Sequence, residues 1–402
     1  MTKQEYLNKL YSGLSGYSYE FRRDIIEAFE GHFDEGAAQG KSEEEVIDEL
    51  GPVSDVIDNI RMMNGDHGVT RSTNDSMNDL WKSFDQLAGT LKDTLKSVGG
   101  IVSEGVNTAV QEIRDVQYTT GSANGVSGSF TDCNALLITM EMCSADIRLI
   151  AGPELRYSFS PSNSLFSSRI PELMTHTDNG TAGLLIRNGS GKLNITVPSS
   201  IRSIRMGALS GDITISGIKT DEVIIKASSG NIILDNAAAN EFTLQTSSGD
   251  LDADHTYFSS LRFQTKSGDA NLKYTNGNPF IKTVSGDIDI KYHESRQILA
   301  EAASGDIDIE CTCSSISAAT LSGDIDINTD APVSMVSAES KSGDIICILH
   351  DENYTAEMST VSGSLENRTG IPELRQSKRS LRVGMGSGRV ELYTKSGDIE
   401  LR

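Results

Sequence analysis

Residues 285–290 are SGDIDI, and the same six residues recur at 304–309 and at 322–327. Isoleucine and aspartate alternate after each Ser-Gly pair, which is the period-two pattern of a β-strand with one buried face. Glycine allows the sharp turn that a corner needs, and serine and aspartate hydrogen-bond the backbone of such turns. The stretch therefore predicts a structural unit formed by a Ser-Gly turn and a short strand.

This unit repeats through the second half of the chain. Apolar or small residues stand seven, five and three positions before the turn glycine, as at Val223, Ile225 and Ala227. A unit of 18–20 residues is too short to hold a crossover helix between parallel strands. We therefore predict a mainly β fold, a parallel β-solenoid (β-helix-like) in which each unit is one coil of 18–20 residues. The turn glycines are Gly211, Gly230, Gly249, Gly268, Gly286, Gly305, Gly323, Gly343 and Gly363.

The predicted solenoid domain covers 121–402, with a looser pattern before residue 200. Its last residues, VELYTKSGDIELR at 390–402, are interpreted as a C-terminal hairpin cap. A hairpin at this place would protect the last open strand edge from pairing with other molecules.

The first 65 residues have a different pattern. Phe21, Ile25, Phe29 and Phe33 recur every four residues, which is the apolar stripe of an amphipathic helix. Helix caps and further apolar stripes follow, so we predict an acidic module of short helices at 1–65, an α-helical bundle in front of the solenoid. The polar residues of 66–76 are interpreted as a linker.

A third pattern occupies 77–116. Apolar residues recur there every three or four positions, which predicts an amphipathic helix, broken near Gly99 and Gly100. Three interpretations stay open: packing onto the rest of the chain, self-association as a coiled coil, and contact with a membrane surface. No run of 18 apolar residues exists, so we expect no membrane-spanning helix. The stripe is Leu80, Phe84, Leu87, Leu91, Leu95, Val98, Val102, Val106, Val110 and Ile113.

Charge and composition restrict the function further. The net charge of −22 argues against nucleic-acid binding and against attraction to an anionic membrane. The chain start lacks the apolar run of a signal peptide, and five cysteines are expected to be reduced. We therefore expect a cytoplasmic protein, with peripheral membrane contact through 77–116 left open.

Aspartates following the turn glycines are the only candidate site residues. Asp287, Asp306, Asp324 and Asp344 should stack on one another, and such like charges need compensation. Turn amides, a bound calcium ion or a cationic partner could each supply it. We find no nucleophile–base pair and no zinc motif, so we expect no catalysis and no cofactor.

Two regions of the chain resemble known protein families. Ile195-Thr-Val-Pro198, Ala208-Leu-Ser-Gly-Asp-Ile-Thr-Ile215 and the iterated Ser-Gly-Asp-Ile units resemble the bacterial "putative adhesin" β-strand-repeat family, a domain of unknown function, over roughly 125–402. Phe29-Glu-Gly-His-Phe33, Gly36, Gly40-Lys-Ser-Glu-Glu-Glu45 and Leu50-Gly-Pro52 are similar to the HAAS-type helical signalling domain of Gram-positive bacteria, over roughly 1–65. The resemblance implies a β-helix-like domain behind a helical module. Neither family supplies a catalytic residue.

Two functions follow as expectations. In the first, the protein is a non-enzymatic scaffold whose helical module docks a regulatory or membrane-associated protein, while the solenoid displays a rigid surface. The alternative is a carbohydrate-binding or carbohydrate-active β-helix protein, which would need a groove with paired carboxylates and basic or aromatic subsites.

Overall fold

A computed structural model of the chain describes residues 119–120, 126–162, 171–208 and 210–402, and a few single positions between residues 2 and 9. The predicted bundle at 1–65, the linker and the segment 77–116 therefore lie almost entirely outside the described residues. Within the described part, no helix has the length and apolarity needed to cross a bilayer.

The N-terminal end of the solenoid is closed by antiparallel strands. The strands of this end are β1 (Thr119–Thr120), β2 (Val126–Phe130), β3 (Ala135–Ala151), β4 (Leu155–Pro161), β5 (Glu172–Asp178) and β6 (Thr181–Val197). The two 17-residue strands β3 and β6 pair in parallel along their length, as two complete coils. On its other edge β6 pairs with β4 and β5 in the antiparallel sense, and β2 and β1 extend this cap.

The central coils follow the predicted repeat. Successive coils pair in parallel and in register, so that Ile288 lies beside Ile307 and Ile307 beside Ile325. These strands are β7 (Ser203–Ala208), β8 (Ile213–Ser216), β9 (Lys219–Ala227), β10 (Ile232–Asp235), β11 (Ala238–Gln245), β12 (Leu251–Asp254), β13 (Tyr257–Gln264), β14 (Ala270–Lys273), β15 (Asn276–Lys282), β16 (Ile288–Ser304), β17 (Ile307–Ser322), β18 (Ile325–Thr329), β19 (Met335–Ser342) and β20 (Ile345–Leu349). The prediction of a mainly β, solenoid-like fold is confirmed.

The interior consists of columns of identical or similar side chains. Ile225, Leu244 and Phe263 are buried at one level of adjacent coils, and their sequence neighbours point outward. Buried threonines line the turn, where the Thr283 hydroxyl donates to the carbonyl oxygen of Gly268 at 3.2 Å. Because a strand alternates its faces, this register places the whole aliphatic set inside.

The C-terminal end differs from the prediction. Its strands are β21 (Tyr354–Ser362), β22 (Leu365–Asn367), β23 (Glu373–Ser377), β24 (Ser380–Val383), β25 (Gly388–Ser396) and β26 (Ile399–Leu401). Residues 390–402 do not form a hairpin: β25 lies in parallel between β19 and β21, and β26 between β20 and β22. The hairpin that caps this end is β23–β24, which pairs with β21 in the antiparallel sense.

Both ends therefore contain an inserted coil. At the C-terminal end, 388–401 fills the space between two coils that precede it in the chain. At the N-terminal end, β3 lies between β6 and the pair β7 and β8, which all follow it. Chain order and spatial order agree only in the middle of the stack.

Candidate recognition surfaces

The turn aspartates form a ladder of side-chain to main-chain hydrogen bonds. Oδ1 of Asp287 accepts from the backbone N–H of Asp306 at 2.8 Å, and Oδ1 of Asp306 accepts from that of Asp324 at 2.8 Å. Oδ1 of Asp324 accepts from the N–H of Asp344 at 2.7 Å, and Oδ1 of Asp344 accepts from the N–H of Asp398 at 2.7 Å. The carboxylates are thus held by turn amides, the first of the three compensations considered from the sequence.

The ladder also accounts for the order of the end coils. Asp398 accepts from the N–H of Ser364 at 2.7 Å, so the coil with serine at this position is the last of the stack. At the opposite end Lys192 occupies the equivalent position beside Asp146. Coils with Asp or Asn at this position therefore adjoin one another, and the two coils without such a side chain lie outermost.

A second aspartate column is neutralised in part by a lysine. Nζ of Lys291 lies 2.8 Å from Oδ2 of Asp289 and 3.2 Å from Oδ2 of Asp308. The hydrogen bond to Asp289 raises the pKa of Lys291 above its usual value. Burial, together with the charge of Asp308, raises the pKa of Asp326, the next member of the column.

We predict that the solenoid is insensitive to calcium. Oδ1 of each turn aspartate already accepts an amide hydrogen, and no cluster of three metal-ligating side chains occurs in the part of the chain described by the structure. Thermal unfolding in calcium and in chelator should give the same midpoint. A midpoint that rises steadily with calcium concentration would contradict this use of Asp287, Asp306, Asp324 and Asp344.

A short aromatic ladder stands on one outer corner of the coils. The ring of Tyr274 stacks on that of Tyr292, with centroids 4.9 Å apart and planes 9° apart, and the ring of His255 lies 5.0 Å from Tyr274. Both tyrosines are about half exposed, as is Tyr257 nearby in the sequence. Sequence reasoning missed this ladder, although each residue follows its turn glycine by six positions.

The backbone at this corner is unusual for tyrosine. Tyr274 and Tyr292 have φ values of 51° and 52°, in the left-handed region, where Gly217 and Asn236 occupy the equivalent position in other coils. A bulky residue is disfavoured in this conformation, and such strain is often found at functional sites. Tyrosine at these two positions therefore costs backbone strain, and in return two rings are exposed at the surface where a ligand could contact them.

We predict that Tyr274→Asn leaves the fold intact. The substitution reduces the strain of the left-handed backbone but loses the ring stacking. Each effect is worth about 1 kcal/mol, so the two offset each other. Urea unfolding should therefore show a change within about 1 kcal/mol, and Tyr257→Asn, which lies outside the left-handed region, serves as the comparison. A loss on the order of 3 kcal/mol for Tyr274→Asn would make the ring a structural element instead.

His293, Cys311 and Cys313 are further polar groups of the interior. His293 is buried, with Nδ1 2.7 Å from the hydroxyl of Thr275 and Nε2 2.9 Å from the carbonyl oxygen of Gly277. Burial lowers the pKa of His293 to about 4. Cys311 and Cys313 are buried and not in a disulfide, in agreement with the expected reduced thiols.

One open hollow lies at the N-terminal cap. Its volume is about 500 Å³, and Ile150, Arg156, Tyr157 and Asn194 lie on its walls. It is broad and open, so it resembles a surface depression more than an enclosed ligand pocket.

Comparison with known proteins agrees with both resemblances. The family model described as Toastrack DUF4097 matches residues 172–318 and 301–402, which together exceed half of the chain, and the HAAS model matches 5–59. No curated protein matches the chain.

Several solved structures are similar in part. One is a "putative cell adhesion protein" from Clostridium sporogenes, 10% identical, with a TM-score of 0.18, covering 71% of this chain and 99% of its own. A "putative adhesin" from Bacteroides fragilis is 13% identical, with a TM-score of 0.33 and coverage of 70% and 98%. A "putative lipid binding protein" from Parabacteroides distasonis is 14% identical, with a TM-score of 0.36 and the same coverage.

Proposed function

Because the chain belongs to the Toastrack DUF4097 family and carries an HAAS match ahead of that domain, we propose that it is a non-enzymatic scaffold. In this proposal the helical module 1–65 docks a regulatory or membrane-associated protein partner, and the solenoid presents a rigid surface. The observation that carries it is the continuous in-register stack, which fixes outer side chains such as Tyr274 and Tyr292 at set distances.

The charge distribution supports a protein partner. A net charge of −22 disfavours nucleic acid, and the outer columns mix aspartate, lysine and serine without a basic stripe. We also propose a cytoplasmic location, with peripheral membrane contact where the partner of the helical module is itself at a membrane.

The test is capture from the native bacterium with three baits: the full chain, the full chain without 1–65, and Tyr274→Asn. A partner that requires 1–65, and that binds the purified full chain again when isolated, is the expected result. Recovery of the same partner without 1–65 would contradict the docking role of the helical module.

A second candidate, carbohydrate binding, is favoured by the aromatic ladder alone. Stacked tyrosines present apolar ring edges and hydroxyl groups together, which suits a hydroxyl-rich ligand as well as a protein surface. Asp254 and Lys273 flank the ladder in sequence, and Nζ of Lys273 lies 5.6 Å from the centre of the Tyr274 ring. Affinity electrophoresis in cell-wall glycans would test it. Retardation abolished by Tyr274→Asn and kept by Tyr157→Asn, a change at the N-terminal cap, would favour this second function.

A further inference from the structure

One outward column of the solenoid has no exposed member: two of its side chains are buried and the others are partly buried. It consists of the residue four positions before the turn glycine in each coil, and it runs in register through Lys226, Gln245, Gln264, Lys282, Glu301, Ala319 and Glu339. Its sequence neighbours on either side, such as Leu244 and Thr246, fill the interior. We call it the covered column, because Lys282 is only 1% exposed and Gln245 7% exposed.

The burial does not come from the interior. Leu185 and Tyr393 continue the covered column at its two ends and are 1% and 3% exposed, yet neither belongs to the interior cluster. Outward residues of the short strands, such as Asp252 and Asn271, are exposed. A side chain on the outer face of a bare sheet remains accessible, so another layer must cover this face.

Several residues beside the covered column are apolar, although polar ones such as Arg262 and Lys266 stand among them. Ile224, Phe280 and Leu299 point outward two positions before it, and Val284 and Leu321 point outward two positions after it. All five of these side chains are partly buried. These apolar side chains form a band on an otherwise mixed face, and a second apolar layer would suit that band.

The pKa values of ionisable groups on this face are shifted in the directions expected where water is excluded. Burial, with the nearby charge of Glu391, raises the pKa of Glu339 to about 7. Burial raises the pKa of Tyr393 to about 12 and lowers that of Lys341. Nζ of Lys282 lies 2.7 Å from Oε2 of Glu301, and this ion pair offsets the cost of burying the Lys282 charge.

The chain itself contains a segment with the complementary pattern. Residues 89–116 are the later part of the amphipathic segment 77–116, and they come directly before the first strand of the solenoid domain. If it is helical on both sides of the break expected at Gly99 and Gly100, its 28 residues would extend at most about 42 Å, at 1.5 Å per residue. At about 4.8 Å per coil this length spans roughly nine coils, most of the covered column. The segment's apolar stripe includes Leu91, Leu95, Val98 and Val102.

The position where this segment meets the described chain agrees. Thr120 of β1 pairs with Met174 of β5, and Met174 pairs with Leu185 of β6. Only residues 117 and 118 separate residue 116 from β1. This strand lies in the same sheet as the covered column, at the N-terminal end of the column. A segment ending there reaches the face without a further connection.

We propose that segment 89–116 lies lengthwise on the covered column, with its apolar stripe against Phe280, Leu299 and Leu321, as an intramolecular layer of the solenoid. Of the three interpretations of 77–116, this one selects packing on the chain's own remainder. It goes beyond the scaffold function, because it removes one face of the solenoid from the surface available to partners.

Lysine acylation of the full chain followed by mass spectrometry tests the proposal. Lys282 should be protected in the wild type, while Lys219, exposed on another strand, should react. In Leu95→Asp/Val102→Asp, which places charges in the stripe, Lys282 should react at a rate close to that of Lys219. Ser97→Asp/Gln111→Asp adds the same charge opposite the stripe and should leave Lys282 protected.

A reciprocal variant keeps the test valid if the stripe variant folds poorly. Leu299→Glu on the covered face should accelerate hydrogen exchange within 89–116, whereas Thr214→Glu on another strand should not. Three results would overturn the proposal: reaction of Lys282 in the wild type, protection unchanged in both stripe and face variants, or protection lost on dilution. The last would identify a second copy of the chain as the cover.

Discussion

Gly305→Ala should abolish cooperative folding of the solenoid. A Cβ built on Gly305 would lie 2.1 Å from the carbonyl oxygen of Gly286 and 2.7 Å from its carbonyl carbon, both main-chain atoms. The added atom cannot be accommodated by a side-chain rotation, so the two coils would have to separate at the turn. We expect a loss on the order of 4 kcal/mol or more in urea unfolding, or accumulation of insoluble protein.

The matched control is Gly183→Ala in β6. There the nearest atom to the added Cβ is Cβ of His176 at 3.6 Å, an ordinary contact. We expect a change within about 1 kcal/mol. Similar stability of the two alanine variants would show that the glycines at the turn do not stack as closely as Gly305 and Gly286 do here.

Removal of 385–402 should be the second severe change. It deletes β25 and β26, which lie between two coils, and with them the buried side chains of Val390, Leu392, Ile399 and Leu401. Four such side chains contribute about 1.5–3 kcal/mol each, which together approaches the whole stability of a domain. The shortened chain should show a lower thermal midpoint and a broader transition.

Complementation in trans separates a lost coil from general misfolding. A peptide of residues 385–402 should bind the shortened chain and raise its thermal midpoint, because the slot between β19 and β21 is defined by the coils that remain. A peptide with Leu392→Asp should fail to do so, since an unpaired carboxylate would enter the interior. A shortened chain as stable as the full chain would contradict the inserted position of 388–401.

Much of the coil could be derived from sequence. The SGDIDI period predicts the turn, the strand register and the interior columns, because glycine at a tight approach and alternation of Ile288 with Asp289 allow few other arrangements. Coil order could not be derived in the same way. Coils with equal columns fit beside one another in any order, and only Lys192 and Ser364, which break the aspartate ladder, indicate the two ends.

The surfaces were harder to predict for a related reason. Outward positions are each exposed in isolation, so Gln245 or Lys282 in a polar-looking alternation gives no sign of a cover. The signal lies in comparison between coils, where Ile224, Phe280 and Leu299 share one outer level. Likewise, Tyr274 and Tyr292 become a ladder only after alignment on the turn glycine.

The inserted coil at 388–401 sets an order of events during synthesis. When β19 to β24 have left the ribosome, the slot that 388–401 will occupy is still empty, and the strand edges on both of its sides have unpaired amide and carbonyl groups. Such edges pair readily with other chains. A product interrupted before residue 388 therefore keeps two open edges and offers a signal to proteases and chaperones, whereas insertion of 388–401 removes both edges in one step.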